Sequence, residues 1–72
     1  MSCCEKKYYD RMKDRTHVYI LACQVANVSG IKQAVYKAHH GVYGDYYKFN
    51  DYVKVKNEGI KVLRVFQRGD TL

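Results

Sequence analysis

The stretch NVSGIKQAVYKAHHG, Asn27 to Gly41, decides how the rest of the chain folds. Ser29 and Gly30 interrupt the hydrophobic pattern before them, since serine can cap a helix and glycine favours turns. After them, apolar residues recur at the spacing of one helical face: Ile31, Ala34, Val35 and Ala38. Gly41 follows where a left-handed residue would end a helix. The pattern predicts a helix over residues 31–40. A strand stays open as the alternative, although the run from Ala34 to Tyr36 fits alternation less well.

The residues before this stretch favour helices. Residues 1–15 are rich in charge, and Tyr8 and Met12 lie four apart on a narrow apolar stripe. Residues 16–28 are the most apolar part of the chain and predict a second helix, which Asp14 or Thr16 could cap. Its predicted core stripe is Val18, Leu21, Ala22 and Val25. A buried strand over 16–28, or one unbroken helix over 5–28, would also fit the sequence.

After Val42 the sequence is rich in aromatic and turn-forming residues, a composition that favours strands. The alternation in DYVKVK and the glycine of the turn at Asn57–Gly59 predict a β hairpin, residues 52–56 pairing with 60–66. Residues 46–49 add a third strand. We therefore predict one domain over residues 1–72, an α+β fold in which N-terminal helices pack on a small antiparallel sheet, with a winged-helix-like outline.

Charge and composition narrow the classes of partner. The chain has 72 residues, eight of them tyrosine, and a net charge of +6. A basic surface favours anionic partners such as DNA, RNA or acidic proteins. The N-terminal residues lack the apolar core of a secretory signal, so we expect a reducing, cytoplasmic setting with free thiols at Cys3, Cys4 and Cys23. No apolar run is long enough to span a bilayer, so no membrane is expected.

Two helices joined by a turn and followed by a hairpin are an arrangement that can bind nucleic acid. If residues 31–40 form a helix, its polar side faces outward. Glutamine can pair with the major-groove edge of adenine, and lysine can reach guanine or phosphate. Cations on the hairpin would neutralise flanking phosphates. The predicted nucleic-acid-binding residues are Lys32, Gln33, Tyr36, Lys37, His40, Lys54, Lys56, Lys61 and Arg64.

The segment LACQVANVSGIKQAVYKA, from Leu21 to Ala38, resembles helix-turn-helix DNA-binding families, including small phage repressor-like proteins. Leu21 and Ala22, the Val28–Ser29 pair and the later Val35 follow the order of signals in that motif. Its turn is longer than the family's, and Ala26 stands where glycine is common. The resemblance implies duplex DNA binding by a regulator of a phage or mobile element, active in the host cytoplasm if the source is viral.

A second nucleic-acid route needs no recognition helix. Aromatic residues interleave with Lys48 and Lys54 from Tyr43 to Lys54. Aromatic rings on a sheet can stack bases while lysines follow the backbone. The competing interpretation is that these rings fill the small core. On either route we predict a non-enzymatic nucleic-acid-binding module, with DNA favoured over RNA.

The alternatives are a protein partner and self-association. A small basic chain rich in tyrosine could bind one protein or ribonucleoprotein as an inhibitor or adaptor, as anti-CRISPR proteins block a host nuclease. A homodimer could form through the apolar side of 18–26, where Tyr19, Cys23 and Ala26 lie beside the core stripe. We expect no cofactor and no metal, since the cysteines and histidines lack ligand spacing. We expect no catalysis, although Asp45 near His39 and His40 could form an acid–base pair.

Overall fold

The computed structural model describes residues 2–72, with side chains from Lys6 onward. Within that range the chain forms helices α1 (Ser2–Met12), α2 (Arg15–Ser29) and α3 (Tyr52–Asn57) and strands β1 (Gln33–His40), β2 (Gly44–Asp51) and β3 (Arg64–Phe66). The strands form one antiparallel sheet in the order β2-β1-β3, and α2 packs on it. The predicted α+β class, with N-terminal helices packed on a small antiparallel sheet, is confirmed.

Local signals define both ends of α2. The side chain of Asp14 accepts hydrogen bonds from the backbone N–H groups of Thr16 and His17, as the predicted cap requires. Gly30 adopts φ 73° and donates its N–H to the Ala26 carbonyl, which ends the helix. Because the chain leaves the helix at Asp14, α1 and α2 are separate helices and the single helix over 5–28 does not form.

The buried stripe of α2 is shifted from the predicted one. Val18 and Ala22 are fully buried as expected. Leu21 is only half-buried and Val25 is 39% exposed, while the other buried positions of the helix are Cys23 and Ala26. The apolar residues of the helix therefore divide between the core and the surface.

The predicted helix over residues 31–40 is wrong, because Gln33–His40 is the central strand β1. Gly30 ends α2 and does not begin a new helix, and the Ser29 hydroxyl donates back to the Val25 carbonyl. Gly41 lies in the turn between β1 and β2 without a positive φ, and Gly44 supplies it instead. Pairing on both sides of Val35, with β2 and β3, outweighs the helical preference of neighbours such as Gln33, Ala34 and Lys37.

The predicted hairpin of residues 52–56 with 60–66 is also wrong. Asp51 accepts a hydrogen bond from the Val53 N–H and caps α3, so Val53 is exposed and Val55 is buried. β3 pairs with β1, and Gly59, at φ 73°, follows a helix instead of joining two strands. The third strand expected over 46–49 is confirmed within β2.

The main core lies between α2 and one side of the sheet, here called the α2 face. It joins the buried α2 residues to Val35 and Phe66, with Phe49 packed against them. The other side, here called the far face, carries Ala34, which is fully buried. α3 contacts β1 and β2 and buries Val55 outside the main cluster.

Candidate nucleic-acid interface

Two lysines from separate segments converge on one aromatic ring at the end of the sheet. The Nζ atom of Lys32 lies 6.0 Å from the centroid of the Tyr52 ring, and that of Lys56 lies 5.8 Å from it. The Tyr52 N–H donates to the Lys32 carbonyl at 2.9 Å, which extends the ladder by one step beyond the pair Gln33 and Asp51. This hydrogen bond holds Lys32 beside the first turn of α3, where Lys56 lies one turn after Tyr52.

The far face continues this arrangement. Tyr36 and Lys48 are direct partners across β1 and β2, so their side chains lie on the same side of the sheet. Both are half-buried. Strand alternation places Lys32 on this side too, and the four-residue step to Tyr36 spans about 13 Å. We call Lys32, Tyr36, Lys48, Tyr52 and Lys56 the tyrosine–lysine surface.

Four of the predicted binding residues differ from the expected arrangement. Gln33 does not face outward: it is only 7% exposed, and its amide donates to the Ile31 carbonyl. Lys37 is exposed but lies on the α2 side of β1, with its Nζ atom 3.5 Å from Asp45 Oδ2. His40 packs its ring against aromatic neighbours, and its Nδ1 atom accepts two backbone N–H groups. Arg64 covers the Phe66 ring at 4.9 Å.

Of the remaining predicted residues, Lys32, Tyr36 and Lys56 belong to the tyrosine–lysine surface, and Lys54 and Lys61 are exposed. Tyr52 was expected on a hairpin strand, where the two lysines would not meet on its ring. The signal that could have found this is the Asn50–Asp51 pair before YVKVKN, because Asp is a preferred helix cap.

His39 and Asp45, the possible acid–base pair, lie in contact at the other end of the sheet. His39 Nδ1 lies 2.7 Å from Asp45 Oδ1, and both side chains are largely exposed. The hydrogen bond from His39, helped by the charge of Lys37, holds the pKa of the Asp45 carboxyl below its ordinary value. The pair therefore lies on the exposed surface of the protein.

The described residues contain no metal-binding cluster and no membrane-spanning helix. No group of three or more His, Cys, Asp or Glu side chains from that part of the chain could hold a metal ion. Cys23 has a free thiol, as expected, and its side chain is buried. The side chains of Cys3 and Cys4, predicted to be free thiols, lie outside the described part. None of the helices within residues 2–72 is long and apolar enough to cross a membrane.

Comparison with known proteins leaves the chain without an assigned family. No protein-family model, curated protein or solved structure matches it. The geometry of the tyrosine–lysine surface is therefore the basis for a functional proposal.

Proposed function

We propose that this protein is a small, non-enzymatic nucleic-acid-binding module that takes a single strand on the tyrosine–lysine surface. The observation that carries the proposal is the Tyr52 ring with the Lys32 and Lys56 ammonium groups 6.0 and 5.8 Å from its centroid. A base can stack on a tyrosine ring, and flexible lysines beside it can neutralise the adjoining phosphates. The net charge of +6 supplies long-range attraction to such a strand.

A single strand suits this surface better than a duplex. Reading a duplex through the major groove needs a helix or ribbon that projects side chains into it. The segment expected to serve as that helix is β1, and Gln33, its proposed base-reading residue, is buried. The tyrosine–lysine surface instead offers rings and cations on a sheet and a six-residue helix, which suits stacking.

The wider role we propose is that of a phage or mobile-element regulator acting in the cytoplasm. Its support is the small size and basic charge of the chain and the free thiol of Cys23, which fits a reducing compartment. DNA remains the first choice of ligand, and the test below compares DNA with RNA.

The test is fluorescence anisotropy with labelled single-stranded DNA, single-stranded RNA and duplex DNA of equal length, at two salt concentrations. We expect tighter binding of a single strand and a steep loss of affinity with salt. Tyr52→Ala should weaken binding about 5- to 150-fold, the equivalent of about 1–3 kcal/mol of stacking. Tyr52→Phe keeps the ring and should bind like the parent.

Charge reversals separate this surface from general basicity. Lys56→Glu should reduce both the affinity and the slope of its salt dependence. Lys13→Glu is the matched control, because Lys13 is exposed in the turn between α1 and α2 and has the same charge. Equal losses in the two variants, or preferential binding of duplex, would refute the proposed site.

A further inference from the structure

A groove between α1 and α2 combines an apolar floor with a cationic rim. It has a volume of about 410 Å³ and is lined by Lys7, Tyr8, Arg11, Met12, His17 and Leu21. Tyr8, Met12 and Leu21 supply the apolar surface, and Tyr8 is 45% exposed. Among residues 6–72, the charged side chains that line the groove directly are Lys7 and Arg11, and both are basic.

The apolar surface continues along α2 beyond the groove. Leu21, Val25 and Val28 are spaced i, i+4 and i+7, so they share one side of the helix. Val25 is 39% exposed and Val28 is 83% exposed. From Leu21 to Val28 this strip runs about 10 Å, which is two turns of a helix. Contiguous exposed apolar surface with a polar rim is typical of a binding site.

We infer that this groove and strip bind an acidic amphipathic helix of a partner protein. Such a helix would lay its apolar side along Tyr8, Leu21 and Val25, in the manner of helix-in-groove recognition. Its carboxylates would meet Lys7 and Arg11, the two cationic side chains that line the groove. Charge complementarity identifies the occupant as acidic.

The same charges disfavour a second copy of this chain. Two copies meeting at this groove would bring their Lys7 and Arg11 side chains together, each on a molecule of net charge +6. Of the three residues on which the expected homodimer rested, Cys23 and Ala26 are buried within the core, and Tyr19 is half-buried against it. The groove is formed by α1 and α2, whereas the proposed nucleic-acid site lies on the sheet and α3, so the two sites are independent.

The experiment uses the full chain and a labelled synthetic peptide of about 14 residues, long enough to form roughly four helical turns. Leucines at i, i+4, i+7 and i+11 form its apolar side, and glutamates fill its polar side. A scrambled peptide of the same composition is the control. We expect anisotropy to show micromolar binding of the helical peptide and at least tenfold weaker binding of the scrambled one.

Variants and a second readout locate the contact. Arg11→Glu should raise Kd about tenfold or more, because it replaces attraction with repulsion. The milder Arg11→Gln should fall between that variant and the parent. Lys61→Glu is the matched control, with the same charge change at an exposed loop outside the groove, and should stay within about threefold. Backbone amide NMR shifts should move in residues 7–25 and not in 52–56.

Each contrary result overturns the inference. Equal binding of the two peptides would mean attraction by charge alone. Equal effects of Arg11→Glu and Lys61→Glu would remove the groove from the contact. No binding at millimolar peptide would refute the helix-in-groove site. Tighter binding to vesicles of anionic lipid than to the peptide would assign the groove to a membrane surface. By contrast, a Tyr52→Ala variant that loses single-stranded nucleic-acid binding but keeps peptide binding would support two separate sites.

Discussion

The two ends of β1 have opposite environments. Gln33, Ala34 and Val35 are buried at one end, whereas from Tyr36 to His40 half-buried and exposed residues alternate. β3 pairs only with the first end, so the rest of the strand has β2 as its sole ladder neighbour among the described residues. The first end we call the covered end and the second the open end.

The difference shows that one end of this short strand is part of the core and the other end carries surface charge. The covered end joins α2 and β3 in the main core, where Val35 and Phe66 are fully buried. Farther along, the strand carries charge without burying it, as in the contact of Lys37 with Asp45. Substitutions of the buried residues at the covered end should therefore alter folding, and those of exposed residues such as Lys37 should alter local electrostatics.

The largest effect is expected from Phe66→Ala at the covered end. The ring is fully buried and meets Tyr19 edge-on, with centroids 5.6 Å apart. Removing it should reduce the free energy of unfolding by about 3–5 kcal/mol, a large part of the stability of so small a domain. Urea unfolding followed by circular dichroism measures this loss.

Lys37→Ala is the comparison at the open end for Phe66→Ala. It should change the free energy of unfolding by no more than about 0.5 kcal/mol, because its side chain is exposed and its ion pair is a surface one. If Phe66→Ala proves too unstable to measure, Phe66→Leu retains most of the volume and should lie between the two. Similar urea midpoints for Phe66→Ala and Lys37→Ala would contradict the distinction between the ends.

A smaller loss is expected from Asn27→Ala, which releases the C-terminal tail from α2. The Asn27 amide nitrogen donates to the carbonyls of Cys23 and Asp70, at 2.9 and 3.1 Å, and its oxygen accepts the Gly69 N–H at 2.7 Å. Breaking this clamp should reduce the free energy of unfolding by about 1–3 kcal/mol. Hydrogen exchange at the Gly69 amide should accelerate, since its acceptor is gone.

Asn57→Ala provides the control for the tail clamp. Asn57 is an exposed residue at the end of α3, so its loss should leave both unfolding and the Gly69 exchange rate nearly unchanged. The clamp explains how the tail is held against α2. Unchanged Gly69 exchange in Asn27→Ala would show that other contacts hold the tail.

The helices near the N-terminus could be predicted because their signals are local. An apolar period of 3.6 residues and a possible cap at Asp14 or Thr16 favour a helix there, and α2 begins after Asp14. The conformation of β1 depends instead on distant partners: Val35 pairs with Phe49 on one side and Arg64 on the other. The apolar spacing in 31–40 suits a helix, and nothing within that segment reveals the strands that enclose it.

The candidate site was predictable in its chemistry but not in its arrangement. Composition indicated cations and tyrosines, and Lys32 and Lys56 were among the residues expected to bind. Their meeting on Tyr52 requires the sheet to end at Asp51 and α3 to begin there, which strand alternation in DYVKVK obscured. The groove between α1 and α2 was missed because Leu21 and Val25 were assigned to the core stripe.

The smallest effect is expected at the open end, where His39→Ala should alter the titration of Asp45. The His39 hydrogen bond is the largest cause that holds the pKa of Asp45 below its ordinary value, and the charge of Lys37 adds to it. Without His39, the pKa should rise toward that ordinary value. NMR titration of the Asp45 carboxyl carbon measures it, with His17→Ala, outside this contact, as the control.

The sign of the accompanying pH effect on stability follows from the direction of this shift. Because the Asp45 pKa is lower in the folded chain than in the unfolded one, its contact stabilises the fold fully above the unfolded-state pKa. That contribution disappears as the pH falls through the lowered folded-state pKa. In His39→Ala the loss of stability on acidification should be shallower than in the parent chain. An Asp45 pKa that is the same in the parent and in His39→Ala would show that solvent, and not the histidine, governs the carboxylate.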